Sequence, residues 1–222
     1  MGILLAQRSV VVFDFDGTIA DTSDSIISTA TTVLTDWGLS PTELTRDRVG
    51  QIIGPPFPQA YEQVFGLSHD DAVEVTRRYR SIYTKLGVEA WPAFPGVVEL
   101  LEQLRDAGRK LAVASSKSAS LVMRGLADNG IDSLFDTICA KDSDDKATKE
   151  DTIRRVLNIL DANAQDAVMV GDRFHDVEAA RACGMPCVGV LYGHTAERSE
   201  LEGAGAVAVA DTVDDLRRYL LG

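Results

Sequence analysis

Val10-Val11-Val12-Phe13-Asp14-Phe15-Asp16-Gly17-Thr18 sets four consecutive apolar residues, three of them β-branched, directly before two carboxylates, a glycine and a hydroxyl. The apolar run predicts a strand buried on both faces, as in a parallel sheet. Ending such a strand in two acids is costly unless the acids have work to do. Side chains alternate along a strand, so Asp14 and Asp16 start on the same side. Gly17 lets the backbone turn without a Cβ clash. Two acids and a hydroxyl around one point suit a cation and a phosphate. The plainer alternative is that the aspartates only cap a turn.

Further runs of the same kind stand at about 110–115, 167–171, 187–191 and 205–210, the first strand covering 9–14. Helical patterns lie between them at about 97–107, 118–129, 149–160 and 175–183, with a last one over 211–221. Alternating strands and helices imply right-handed β-α-β units, hence an α/β fold with a doubly wound, Rossmann-like parallel sheet. From about 21 to 94 the pattern is helical without a clear buried strand. Its breaks fall at Gly38, Gly54-Pro55-Pro56-Phe57-Pro58, Gly66 and Gly87, and Pro92-Ala93-Phe94-Pro95-Gly96 leads back. The expected organisation is a core domain of residues 1–20 and 95–222 with a helical insertion at 21–94.

A chain of 222 residues can bury a substantial core, and 45% apolar with 25% charged residues is ordinary for a globular protein. The formal charge of −12, from 22 basic against 34 acidic residues, argues against nucleic acid or an anionic membrane as a partner. An acidic protein that binds phosphate must supply positive charge locally, from a metal, a lysine or helix N-termini. Cys139, Cys183 and Cys187 suit a reducing compartment, and Gly184 and Pro186 argue against a metal site between the last two. No charged-then-apolar leader opens the chain, and Ala6 stands where Met1-Gly2 myristoylation favours Ser or Thr. A cytoplasmic location is expected.

Four clusters fall at the C-terminal ends of the expected strands or just beyond: Asp14/Asp16/Thr18, Ser115-Ser116-Lys117, Lys149, and Gly171-Asp172-Arg173-Phe174-His175-Asp176. Ligands of open α/β sheets sit at that edge. Phosphoryl transfer needs a counterion wherever carboxylates meet phosphate. Mg²⁺ takes six oxygens, and Asp14, the Asp16 carbonyl and Asp172 could supply the protein's share, with Asp176 behind them. Without a metal these acids would raise one another's pKa values. Lys149 would add fixed positive charge. Thr18, Ser115 and Ser116 would bind phosphate oxygens, although a serine pair there also suits a helix N-cap. Asp14 would attack phosphorus, while Asp16 protonates the leaving oxygen and later takes a proton from water.

Asp14-Phe-Asp-Gly-Thr18, Ser115, Lys149 and Gly171-Asp172-x-x-x-Asp176, in this order, resemble the four signature motifs of the haloacid dehalogenase-like hydrolase superfamily. The insertion resembles the α-helical cap of its phosphoglycolate-phosphatase-like members. Lys141 and Lys146 lie nearby, but only Lys149 opens the Lys-Glu-Asp-Thr-Ile helix start that is similar to the family's pattern. The resemblance implies a Mg-dependent phosphatase with Asp14 as nucleophile, Asp16 as acid/base, and Asp14, Asp16 and Asp172 at the metal. Its substrate would be a small phosphate monoester such as a phosphoglycolate-like acid, a sugar phosphate or a nucleotide. The Gly54, Pro55 and Pro56 loop would bear on specificity.

Competing expectations are a phosphomutase with the same intermediate and a non-enzymatic phospho-accepting domain. A dehalogenase would not need Asp16. Trp37 and Trp91 read as packing within the insertion. His175 lacks triad or ligand spacing, and Arg173 has no assignable role. A monomer or homodimer is expected.

Overall fold

A computed structural model describes residues 5–141 and 147–222. Lys146 and the Met1-Gly2 start lie outside the described residues. The chain folds as two compact units: the residues up to Asp21 together with Pro92–Gly222, and Thr22–Trp91.

The first unit is built on a six-stranded sheet: β1 (Val10–Phe13), β2 (Lys110–Ser118), β3 (Thr137–Lys141), β4 (Ala167–Gly171), β5 (Cys187–Val190) and β6 (Ala208–Ala210). The spatial order is β3-β2-β1-β4-β5-β6 and every neighbouring pair is parallel. This is the doubly wound α/β arrangement. Its centre is β1, whose four side chains are all buried, as the unbroken apolar run requires. Each such valine contributes on the order of 1.5–3 kcal/mol relative to exposure.

Val10 and Val12 face a layer that includes Ile153 and Val156 of α7 (Lys149–Leu160) and Val177 and Ala180 of α8 (Phe174–Ala182). The remaining helices of this unit are α5 (Val97–Asp106), α6 (Ala119–Asp128), α9 (Arg198–Ala204) and α10 (Val213–Leu221). Of these, α5 and α6 lie against β2, and α10 lies against β6 and α5.

The edge strand β3 is a departure from the sequence reading, which contains five strands. Thr137-Ile-Cys-Ala-Lys141 buries only Cys139 and Ala140, so it has neither the continuous apolar run nor the strict alternation that marks a strand. A second departure is that β2 continues past Ser115 to Ser118, with a register shift against β3 between Ala114 and Ser118.

Connections run outward in both directions from the β1/β4 pair, which leaves a crevice beyond the C-terminal ends of these two strands. Phe13 pairs with Val170. Asp14 follows on one strand, and Gly171 and Asp172 on the other. The chain leaves this unit after Asp21 and returns at Pro92, and the two crossings pair with each other. Asp21 N–H donates to Pro92 O at 2.8 Å, Phe94 N–H donates to Ile19 O at 3.0 Å, and Ala20 and Ala93 form an antiparallel bridge.

The second unit contains α1 (Ser23–Trp37), α2 (Arg46–Gly50), α3 (Gln59–Phe65) and α4 (His69–Tyr83). Helices α1 and α4 pack together. Phe57, Tyr61, Tyr79, Tyr83 and Trp91 form a chain of ring contacts with centroids 4.8–5.7 Å apart. Trp91 is fully buried, and the Arg78 guanidinium lies 4.9 Å over the Trp37 ring. Gly54, with φ +108°, and Pro56 are exposed, while Pro55 is half-buried. No helix among the described residues is long and apolar enough to cross a membrane.

Candidate active site

Asp14 is placed by the sheet itself: its N–H donates to Val170 O at 2.9 Å and extends the β1/β4 ladder by one rung. Asp172 follows the last residue of β4, and Asp176 sits in the first turn of α8, where its Oδ2 accepts from Arg173 N–H at 3.2 Å. Lys149 opens α7, whose start is fixed by a reciprocal cap between Thr148 and Asp151.

These four residues meet. Lys149 Nζ lies 2.8 Å from Asp14 Oδ1 and 2.7 Å from Asp176 Oδ1, and its side chain is only 9% exposed. Asp14, Asp172 and Asp176 each offer a carboxylate oxygen within 4.8 Å of the others.

Three carboxylates against one ammonium leave the cluster acidic and largely dry. Burial raises the Asp14 carboxyl to about 6; Lys149 opposes the shift, and Asp176 and Asp16 add to it. Burial likewise pushes Asp172 well above the ordinary carboxylate range, helped by the charges on Asp176 and Asp14. Burial works against the Lys149 ammonium, yet Asp14 and Asp176 outweigh it and hold the group above the usual lysine range. Lys149 is therefore a permanent cation here.

The other expected site residues are placed differently. Asp16 turns its carboxylate to Lys117, accepting from Nζ at 2.8 Å. The same ammonium lies 5.9 Å from the Phe15 ring centroid. Ser115 is 1% exposed, and its hydroxyl accepts from Lys117 N–H at 3.3 Å; Ser116 is half-buried. Thr18 is fully buried and its hydroxyl has no hydrogen-bond partner among the described residues. Its carbonyl accepts from Tyr192 O–H at 2.8 Å. His175 is exposed on α8, its ring against Phe174.

A family model described as haloacid dehalogenase-like hydrolase matches residues 11–190. The chain belongs to the haloacid dehalogenase-like hydrolases. A 5'-nucleotidase of Pseudomonas aeruginosa is 32% identical to this hydrolase over 188 residues, 84% of either chain. The tyrosine-protein kinase PtkA of Mycobacterium tuberculosis is 34% identical over 213 residues, 95% of this chain and 72% of its own. Among solved structures, one described as a predicted phosphatase from Clostridium acetobutylicum superposes with a TM-score of 0.88. It is 29% identical, over 95% of this chain and 97% of that one. This haloacid dehalogenase-like hydrolase is an enzyme of the phosphatase kind.

The donor set of the hydrolase fits a hard divalent cation. It consists of carboxylate oxygens, the ligands Mg²⁺ prefers, and Asp172 Oδ2 is buried with no hydrogen-bond partner among the described residues. Such an orphan is costly unless something positive meets it. Gly17, at φ +70°, makes room, since a Cβ there would overlap Asp172 Oδ2.

The stretch Gly189–Gly193 resembles the superfamily in sequence, but the sequence assigns none of its residues a role. There Tyr192 ties down the Thr18 carbonyl, and Gly193 approaches Gly17 so closely that a Cβ would overlap the Gly17 carbonyl oxygen. The resemblance marks the stretch, and only a fold in hand shows what its glycine and tyrosine pack against.

The raised Asp172 pKa has a measurable consequence. A carboxyl favoured in its protonated form by the fold stabilises the protein below its unfolded value of 3.8, and that contribution is lost as pH rises through the shifted value. In EDTA at pH 7.5, Asp172→Asn is expected to melt above the wild type, with the gap closing as pH falls toward 4, and to show no rise in Tm on adding Mg²⁺. Thermal scans over pH check this. A wild type that is the more stable at pH 7.5 would contradict the crowding described above.

Proposed function

We propose that this chain is a Mg²⁺-dependent phosphatase that hydrolyses small-molecule phosphate monoesters by way of a phosphorylated Asp14. The observation that carries the reading is Lys149 Nζ bridging Asp14 and Asp176 while Asp172 completes a buried acidic group. This supports a nucleophile with a fixed countercharge beside it, next to a place for a cation.

Asp14, Asp172 and the Asp16 carbonyl would hold Mg²⁺, with Asp176 anchored behind them by Lys149 and Arg173 N–H. When bound, Mg²⁺ supplies positive charge that offsets the phosphate and the carboxylates and polarises the phosphoryl group. An Asp14 carboxylate oxygen attacks phosphorus and the ester P–O bond breaks. Asp16, once it has left Lys117 Nζ and taken up a proton, gives that proton to the departing oxygen. Water then attacks the aspartyl phosphate while Asp16 takes a proton from it, the Asp14–phosphorus bond breaks, and inorganic phosphate leaves. Lys149 stays charged throughout and lowers the cost of bringing a phosphate dianion to Asp14. Thr18, Ser115, Ser116 and the amides that follow β2 are the groups proposed for phosphate oxygens, Thr18 and Ser115 being buried in the protein without substrate.

The net charge of −12 supports a small ester over nucleic acid. The likeness to a 5'-nucleotidase favours nucleoside monophosphates as the first compounds to try. The test is phosphate release from a panel of nucleotides, sugar phosphates and phosphoglycolate, with Mg²⁺ and with EDTA. Mg²⁺-dependent release supports the reading. An isomerised sugar phosphate without free phosphate would replace it with a mutase, and a lasting phosphoenzyme without turnover with a phospho-accepting domain. The PtkA likeness gives phosphotransfer to tyrosine as a further reading, tested by labelling a tyrosine peptide from ATP.

A further inference from the structure

The end of the sheet opposite the acidic group carries a cleft of about 330 Å³, whose lining includes Arg8, Gln165, Arg181, Met185, Pro186 and Val207. Arg181 stands in the last turn of α8, and the others come just before β1, β4, β5 and β6. The length of β1, about 13 Å at 3.3 Å per residue, therefore lies between this cleft and Asp14. Its frame is held by bonds to the main chain. Arg109 Nη1 donates to Arg8 O at 2.6 Å, Ser9 Oγ donates to Asp166 O at 3.4 Å, and Met169 N–H donates to Pro186 O at 2.9 Å.

Two features of the cleft point to an anion. In a chain of net charge −12, where carboxylates are plentiful, neither the Arg8 nor the Arg181 guanidinium has an ion pair or a hydrogen bond among the described residues. Arg77, Arg154 and Arg198, by contrast, each lie on a carboxylate. Arg8 Nε is also shut off from solvent, and a buried donor is costly until an acceptor meets it. We propose that this cleft is a second ligand site, separate from the acidic group, and that it takes a small organic phosphate. Arg8 and Arg181 engage the phosphate oxygens, Gln165 adds an amide, and Met185, Pro186 and Val207 receive the apolar body. Two guanidiniums match a dianion, and each can offer paired N–H groups to its oxygens. The volume, with apolar walls and a few polar groups, is that of a small-molecule site.

The experiment is calorimetric titration of phenyl phosphate, and separately of inorganic phosphate, into the full-length protein at fixed ionic strength, with a thermal scan of each variant. EDTA is present throughout, because without a cation the acidic group repels a dianion and binding then reports on the cleft. Phenyl phosphate is expected to saturate one site and to bind more tightly than inorganic phosphate. Arg8→Gln and Arg181→Gln are each expected to weaken it about tenfold or more, as when a charge-assisted hydrogen bond is lost, and the double variant to show no saturable binding. Arg181 is exposed, so Arg181→Gln carries the test if Arg8→Gln does not fold. No saturable binding by the wild type, wild-type affinity in the folded single variants, or equal affinity for the two probes would overturn the inference. None of these results bears on Asp14, since no residue of the acidic group lines the cleft.

Discussion

Asp14→Asn is expected to cut phosphate release by about 10⁴-fold or more, the scale seen when a nucleophile is removed from machinery that acts as a unit. The amide is nearly isosteric, so the ladder bond from residue 14 N–H to Val170 O is kept. What is lost is the negative oxygen that the proposed mechanism brings to phosphorus. The fold should survive, since Lys149 keeps Asp176 as a partner and the variant removes a buried charge whose pKa is already pushed up to about 6. Steady-state assays with a thermal scan at pH 7.5 separate the two effects. A folded variant retaining a tenth of wild-type kcat would remove Asp14 from the nucleophile's role.

Lys149→Met is expected to damage stability and turnover together. Methionine replaces most of the side chain's volume, but Asp14 and Asp176 are then left buried without the ammonium at 2.8 and 2.7 Å. Stranding the partner of a buried ion pair costs about 3–5 kcal/mol. In a chain of this size that corresponds to a fall of roughly 10 °C in Tm. Because the penalty belongs to ionised carboxylates, lowering the pH from 7.5 toward 5 should restore part of the lost stability as they protonate. Turnover should fall by about 10²–10³ in kcat, as when one electrostatic donor is taken from a reacting centre. A Tm unchanged at pH 7.5 would mean that Lys149 is not the countercharge of this cluster.

The parts of this molecule that were legible in the sequence are those whose chemistry is local. Val10–Phe13 is buried on both faces because it is central, and its apolar run says so. Asp14 and Asp172 follow strands that lie side by side, so their motifs mark the site without any knowledge of the loops. Edge and peripheral elements leave fainter traces. Strand β3 buries two residues of five, and α9 buries only Leu201 of its seven, so neither has the periodicity that reveals an element. The Glu200–Gly205 stretch resembles the superfamily in sequence, but the contact between Glu200 and Arg173 is not readable there.

Side-chain partners between distant residues were beyond reach in another way. The Lys117–Asp16 ion pair joins positions 101 apart in the chain and depends on how β2 runs on past Ser115. Thr18 is the instructive case. A hydroxyl next to two acids reads as a ligand for phosphate; that its turn buries it, with Tyr192 fixing its carbonyl, is visible only in the fold.

The paired crossings at Ile19–Asp21 and Pro92–Phe94 have an evolutionary corollary. Because both ends of the helical segment are stitched together at one doorway, what hangs beyond it is a cassette whose length hardly matters to the catalytic frame. Doubling the excursion adds only about 0.6 kcal/mol of closure entropy. Selection can therefore exchange or lengthen Thr22–Trp91 while β1 keeps its register and Asp14 its place in the β1/β4 ladder.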